Sequence, residues 1–145
     1  MDNLRAGIPV QVHLETNIVQ DDQSSSFVFD VSGQLVQIGE SIYIRYNEDS
    51  DDQGKVPVTI KIMPNGSVKL TRSASNRLQL IFIKGKRVAA RYQTPYGPLD
   101  IQTVTPMMEV EIKNYPLRGR LDIDYLLYAG SDLLGKYNIR LQFTV

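Results

Sequence analysis

The chain contains no cysteine and a single histidine, and its 16 basic residues are matched by 16 acidic ones. The missing thiols exclude disulfides, thiolate catalysis and cysteine-ligated metal. The zero net charge gives no bulk attraction to nucleic acid or an anionic membrane. No apolar run approaches the roughly 18 residues that a transmembrane helix needs. The opening MDNLRAGIPV has no basic segment followed by an apolar one, so it does not read as a signal peptide. A cytoplasmic protein with no membrane partner is the expectation. There is no internal repeat and no low-complexity linker, so the 145 residues read as one domain, 1–145.

What is present is alternation. IPVQVHL puts Ile8, Val10, Val12 and Leu14 on one face. VPVTIKI does so with Val56, Val58, Ile60 and Ile62, and LDIDYLL with Leu121, Ile123, Tyr125 and Leu127. KYNIRLQFTV continues with Tyr137, Ile139, Leu141, Phe143 and Val145. A period of two marks half-buried strands. Further strand-like runs cover Phe27–Ile38, Ser41–Glu48, Ser67–Ser73, Leu78–Ile83, Arg87–Gln93 and Leu99–Lys113. The one helical candidate, YAGSDLLG at Tyr128–Gly135, reads equally as a reverse turn. Asn65-Gly66 is a hairpin signal, Gly85 permits a tight turn, and TPYG at Thr94–Gly97 has type I turn chemistry. The apolar phase slips between Thr105 and Met108, which predicts a bulge or a break at Pro106. The fold expected is all-β, a single antiparallel up-and-down barrel of about 8–10 strands. Short connections favour closure over a sandwich, and closure removes unpaired edges.

The strings TIKIMPNGSVKLTRS, LQLIF and ARYQTPYGPLDIQTVT, with YIRYNE before them and GRLDIDYLLY and GKYNIRLQF after, form a further pattern. Together they resemble the YwiB-like family of bacterial calycin-type barrels, a domain of unknown function. The resemblance covers essentially the whole chain. It implies a lipocalin-like closed barrel in the cytoplasm, with no activity or site residue to carry over.

Charge is segregated. Residues 1–52 hold ten acids and two bases; residues 53–99 hold nine bases and no acid. The bases are Lys55, Lys61, Lys69, Arg72, Arg77, Lys84, Lys86, Arg87 and Arg91. Successive antiparallel strands are neighbours, so these bases should share one side of the barrel. Arg72 differs from the rest. It continues the inward phase of Val68 and Leu70, and a guanidinium there needs acceptors, water at the barrel end, or an anionic ligand. Tyr46, Tyr92, Thr103, Thr105, Tyr125 and Tyr137 share the inward phases. Two readings follow. The first is a non-enzymatic barrel that binds a small anionic or amphipathic molecule around Arg72, Tyr46, Tyr92, Thr103, Tyr125 and Tyr137. The alternative is a protein- or nucleic-acid-interaction module that uses Lys84, Lys86, Arg87, Arg91 and Tyr96. Exposed stacking residues are too few to favour nucleic acid. The pattern leaves monomer and dimer equally open.

Catalysis finds little support. His13 alternates with Val12 and Leu14 and so faces outward. The carboxylate pairs Glu109/Glu111 and Asp122/Asp124 are also outward, where hydration keeps carboxylates ordinary. Asp49, Asp51 and Asp52 have only a weak cation-loop spacing. No phosphate-cradling glycine loop or other cofactor motif is present.

Overall fold

The computed structural model describes residues 6–50, 54–114 and 116–145. Among them, ten strands account for the regular structure: β1 (Ile8–Gln20), β2 (Gln23–Ile38), β3 (Ser41–Ser50), β4 (Gly54–Ile62) and β5 (Val68–Ser73), followed by β6 (Arg77–Phe82), β7 (Arg87–Thr94), β8 (Gly97–Lys113), β9 (Arg118–Ala129) and β10 (Asp132–Thr144). Each strand pairs antiparallel with its sequence neighbours, and β1 pairs with β10 to close the barrel. The all-β, up-and-down barrel expected from the alternation is therefore the observed fold. No helix among the described residues is long and apolar enough to cross a membrane.

The predicted inward phases fill the interior. Leu35, Ile44, Phe82 and Leu141 have no exposed surface, and Phe143, Val12 and Val56 have almost none. The bulge expected at Pro106 is present as a register shift between Val104 and Met107. The YAGSDLLG segment is a hairpin turn at Gly130–Ser131 rather than a helix. A second shift, between Leu133 and Gly135, has no apolar phase slip to announce it.

Two departures shape the outer surface. The β1–β2 hairpin is far longer than the alternation of its sequence suggests. It turns at Asp21–Asp22, both with positive φ (50° and 63°), the backbone of a tight primed turn. The polar run Ser24–Ser26 on β2 gave no alternation to read. The hairpin also overruns the closed barrel. β2 pairs with β3 only from Gln34↔Arg45 to Ile38↔Ser41. At Gly33 the chains meet face to face, and a Cβ there would lie 2.5 Å from the Arg45 carbonyl oxygen. The expectation that closure leaves no unpaired edge is thus corrected: Gln23–Gly33 pairs with β1 alone among the described strands.

Candidate functional site: a cationic cleft on the barrel wall

The wall also opens between β6 and β7. Their ladder runs only through Arg77↔Gln93, Leu78↔Tyr92 and Gln79↔Arg91. Beyond it, β8 supplies the missing contacts. The Thr103 hydroxyl, fully buried, donates to the Ile81 carbonyl at 2.8 Å and lies 3.3 Å from that of Val88. The Gly85 N–H donates to the Thr105 carbonyl at 2.7 Å. Thr103 thus replaces a ladder donor. Thr103→Val keeps the shape but takes the donor from the part-buried Ile81 carbonyl, so a loss of about 0.5–1.5 kcal/mol is expected in denaturant titration. Thr103→Ser should retain most of the stability; equal losses for the two variants would refute the hydroxyl's role.

Outside this seam lies a cleft of about 740 Å³, lined chiefly by Lys69, Arg77, Gln79, Arg91, Tyr92 and Leu99. Lys69, Arg77, Gln79 and Arg91 come from the outward phases of β5, β6 and β7, which explains why three cations meet there. No carboxylate lines the cleft, and none of the ion pairs among the described residues involves Lys69, Arg77 or Arg91. Asp100 is the cross-strand partner of Arg91, but no ion pair between them occurs among the described residues. Lys69 is directly opposite Lys61, a like-charge cross-strand pair that costs stability. Lys61 lies 5.4 Å and Arg45 5.7 Å from the Tyr43 ring, so the positive face extends back to β3.

Residues 12–141 match the family described as "Domain of unknown function (DUF1934)". The chain belongs to this family. It is similar to the uncharacterized beta-barrel protein YwiB of Bacillus subtilis, 24% identical over 135 residues, which cover 93% of this chain and 92% of that protein. The crystal structure of the B. subtilis ywiB protein superposes with a TM-score of 0.81 at 22% identity, covering 99% of this chain and 95% of the other. That likeness shows a DUF1934 barrel fold and brings no activity with it. The family resemblance read from the sequence is therefore correct.

The interior residues named from sequence fall into two groups. Tyr46, Arg72 and Tyr92 lie on one cross-strand row, Tyr46↔Val58↔Arg72↔Leu78↔Tyr92. Arg72 is about one third exposed, and its Nε donates to Glu48 Oε2 at 3.0 Å, so it has both an acceptor and water. Tyr92 accepts from Asn76 Nδ2 at 3.3 Å and reaches the cleft. In the second group, Tyr125 stacks on Tyr137 with centroids 4.9 Å apart and touches the Phe82 ring at 4.7 Å; Thr103 patches the seam.

The surface residues named from sequence are not one cluster. Lys84 and Lys86 flank the β6–β7 turn, whereas Tyr96, 99% exposed, is at the opposite end of β7. The eight residues of β7 between them place them roughly 25 Å apart. Arg87 is engaged already: it bonds the Gln102 side chain and the Gly130 carbonyl and lies over the Tyr128 ring at 4.8 Å. Arg91 alone of this set lines the cleft. Arg77 and Lys69 were legible as bases, but only the seam geometry joins them to it.

His13 sits on the outer wall, as its phase predicts. Its Nδ1 lies 2.7 Å from Asp30 and its Nε2 3.4 Å from Glu15. The neighbouring hollow of about 280 Å³ has Glu15, Glu109, Asp122, Arg120 and Arg140 in its lining. Hydrogen bonding to Asp30, and then to Glu15, raises the His13 pKa above its usual 6.5. The sign follows: the protonated pairing stabilises the fold fully below pH about 6.5, and that contribution is lost as pH rises through the folded midpoint. An NMR titration of this single imidazole should therefore give a midpoint above 6.5 that falls back in Asp30→Asn; an unmoved midpoint in the variant would refute the assignment. Among the cation-loop candidates, Asp49 lies on β3, while Asp51 and Asp52 fall outside the described residues. No group of three potential metal ligands occurs among the described residues.

Proposed function

We propose that the protein is a binding barrel that takes a small anionic ligand with an apolar or aromatic portion in the wall cleft between β5 and β8. The single observation that carries this reading is the convergence of Lys69, Arg77 and Arg91 on one cleft whose lining has no carboxylate. Two guanidinium forks suit bidentate binding of phosphate or carboxylate. Tyr92 and Leu99 give an apolar surface for the remainder of the ligand. Binding without turnover accords with a lining of ammonium, guanidinium, amide and phenol groups, none of which is a base at neutral pH.

The test is a thermal-shift series with pyrophosphate, adenosine monophosphate and decanoate at low and high salt. A ligand at about 100 times its Kd adds roughly 2.7 kcal/mol, which for a chain of this size raises the midpoint by about 5–10 °C. The shift should vanish in Arg77→Ala/Arg91→Ala and survive in Lys84→Ala/Lys86→Ala. Equal responses in the two double variants would refute the cleft. A flat response to all three probes, with salt-sensitive retention of the protein on a polyanion, would favour the second reading, an interaction module. The like-charged Lys61–Lys69 row and the fully exposed Tyr96 give that reading its support.

A further inference from the structure

The free edge of β2 is the feature that neither the cleft nor the family accounts for. Exposed, flat edges are templates for pairing with another strand, and soluble proteins blunt them with charge, proline, bulges or a covering segment. This edge has little such protection. From Gln23 to Gly33 it contains no proline and one charge, Asp30. Its ladder with β1 runs unbroken from Gln20↔Gln23 to Ile8↔Leu35, with no bulge to twist it away. Every residue from Gln23 to Val28 is exposed, with Phe27 at 54% and Val28 at 61%.

The edge is also complementary to itself. Laid antiparallel on a second copy about a two-fold axis at Val28, it sets Val28 against Val28 and Phe27 against Phe29 twice. Ser26 then faces Asp30, Ser25 faces Val31, and Ser24 faces Ser32. Side chains of like facing meet throughout, aromatic meets aromatic, and the lone carboxylate opposes a neutral hydroxyl. A register centred on Asp30 would oppose two carboxylates instead, which is unfavourable. A two-fold contact of this kind is the commonest route to a homodimer.

We propose that the Gln23–Gly33 edge of β2 pairs antiparallel with the same edge of a second copy, centred on Val28, to form a dimer through a continuous sheet. Sedimentation across micromolar to submillimolar protein should then give twice the 16.4 kDa chain mass. Val28→Lys puts two ammonium groups face to face at the axis and should weaken association about tenfold or more. Because Val28 is outward and exposed, that variant should keep the wild-type circular dichroism and, at concentrations where the wild type is monomeric, its thermal midpoint. The absence of cysteine provides a second measurement. Val28→Cys should crosslink to a dimer on mild oxidation, since cross-strand Cα separations fall in the disulfide range. Ser32→Cys should not, because in this register its two copies are roughly 27 Å apart. A monomer at every concentration overturns the proposal, and so does a dimer that Val28→Lys leaves intact. Equal crosslinking by the two cysteine variants places any dimer on another face and overturns it too.

Discussion

Phe143→Ala is expected to lower the unfolding free energy by about 3–5 kcal/mol, and Gly119→Ala, which adds only a methyl, by about 1–3 kcal/mol. The two residues are cross-strand partners on β10 and β9, and both face inward. Phe143 is 1% exposed and closes the core at the end of the barrel where β8 and β9 join. Its ring lies over Gly119: a Cβ there would meet Phe143 Cζ at 2.5 Å, Cε1 at 2.6 Å and the Glu111 carbonyl oxygen at 2.9 Å. The glycine is therefore required by close approach of a ring and a backbone, with no special φ involved. Truncating Phe143 leaves a cavity, and adding a methyl at Gly119 pushes the ring off its site. A double-mutant cycle separates these effects. In a Phe143→Leu background the terminal ring atoms are gone, so Gly119→Ala should cost clearly less than in the wild type. The Glu111 contact remains, so the rescue should be partial. Additive costs in denaturant titration would show that the ring is not what Gly119 makes room for.

That glycine marks where the sequence stops being informative. Alternation alone places Leu121, Ile123, Leu141 and Phe143 inward, because a period of two is a local property of the chain. The bulge at Pro106 was readable for the same reason, as a slip in that period. Which residue faces Gly119 is a matter of register between strands. Nothing in GRLDIDYLL shows that an aromatic ring from β10 will rest on its first residue. The same limit governs the site. The nine bases of residues 53–99 were countable, and antiparallel order put them on one arc. Lys69, Arg77 and Arg91 become a cleft only because the β6–β7 ladder stops after three pairs and Thr103 takes over from behind. Arg72 shows the converse. Its inward phase was legible, but its Glu48 partner lies 24 residues away on β3, two strands round the barrel. Phase predicts which wall face a residue occupies; partners depend on stagger and tilt.

Above pH about 10 the protein should lose stability steeply, at up to about 2.7 kcal/mol per pH unit, and two tyrosines should account for that slope. Tyr46 is 5% and Tyr125 7% exposed. Burial pushes both phenol pKa values far above the usual 10; the Glu48 charge adds to the effect at Tyr46, and Tyr137 adds to it at Tyr125. A group whose folded pKa is raised contributes stability that is intact below its unfolded pKa and is lost as pH rises through the window between the two. In that window the unfolded chain releases the proton and the folded chain holds it, so each phenol removes about 1.4 kcal/mol per pH unit. Tyr46→Phe/Tyr125→Phe has no such proton to release. At pH 7 the double variant should unfold in urea at close to the wild-type midpoint, since the rings and their contacts with Phe29 and Phe82 remain. Between about pH 10 and 12 the two stability curves should diverge, with the variant falling less steeply. Lysine deprotonation over the same range is common to both proteins and cancels in the comparison. Parallel curves would mean that the two phenols ionise in the folded barrel as readily as in the unfolded chain, and that the core around Tyr46 and Tyr125 admits water.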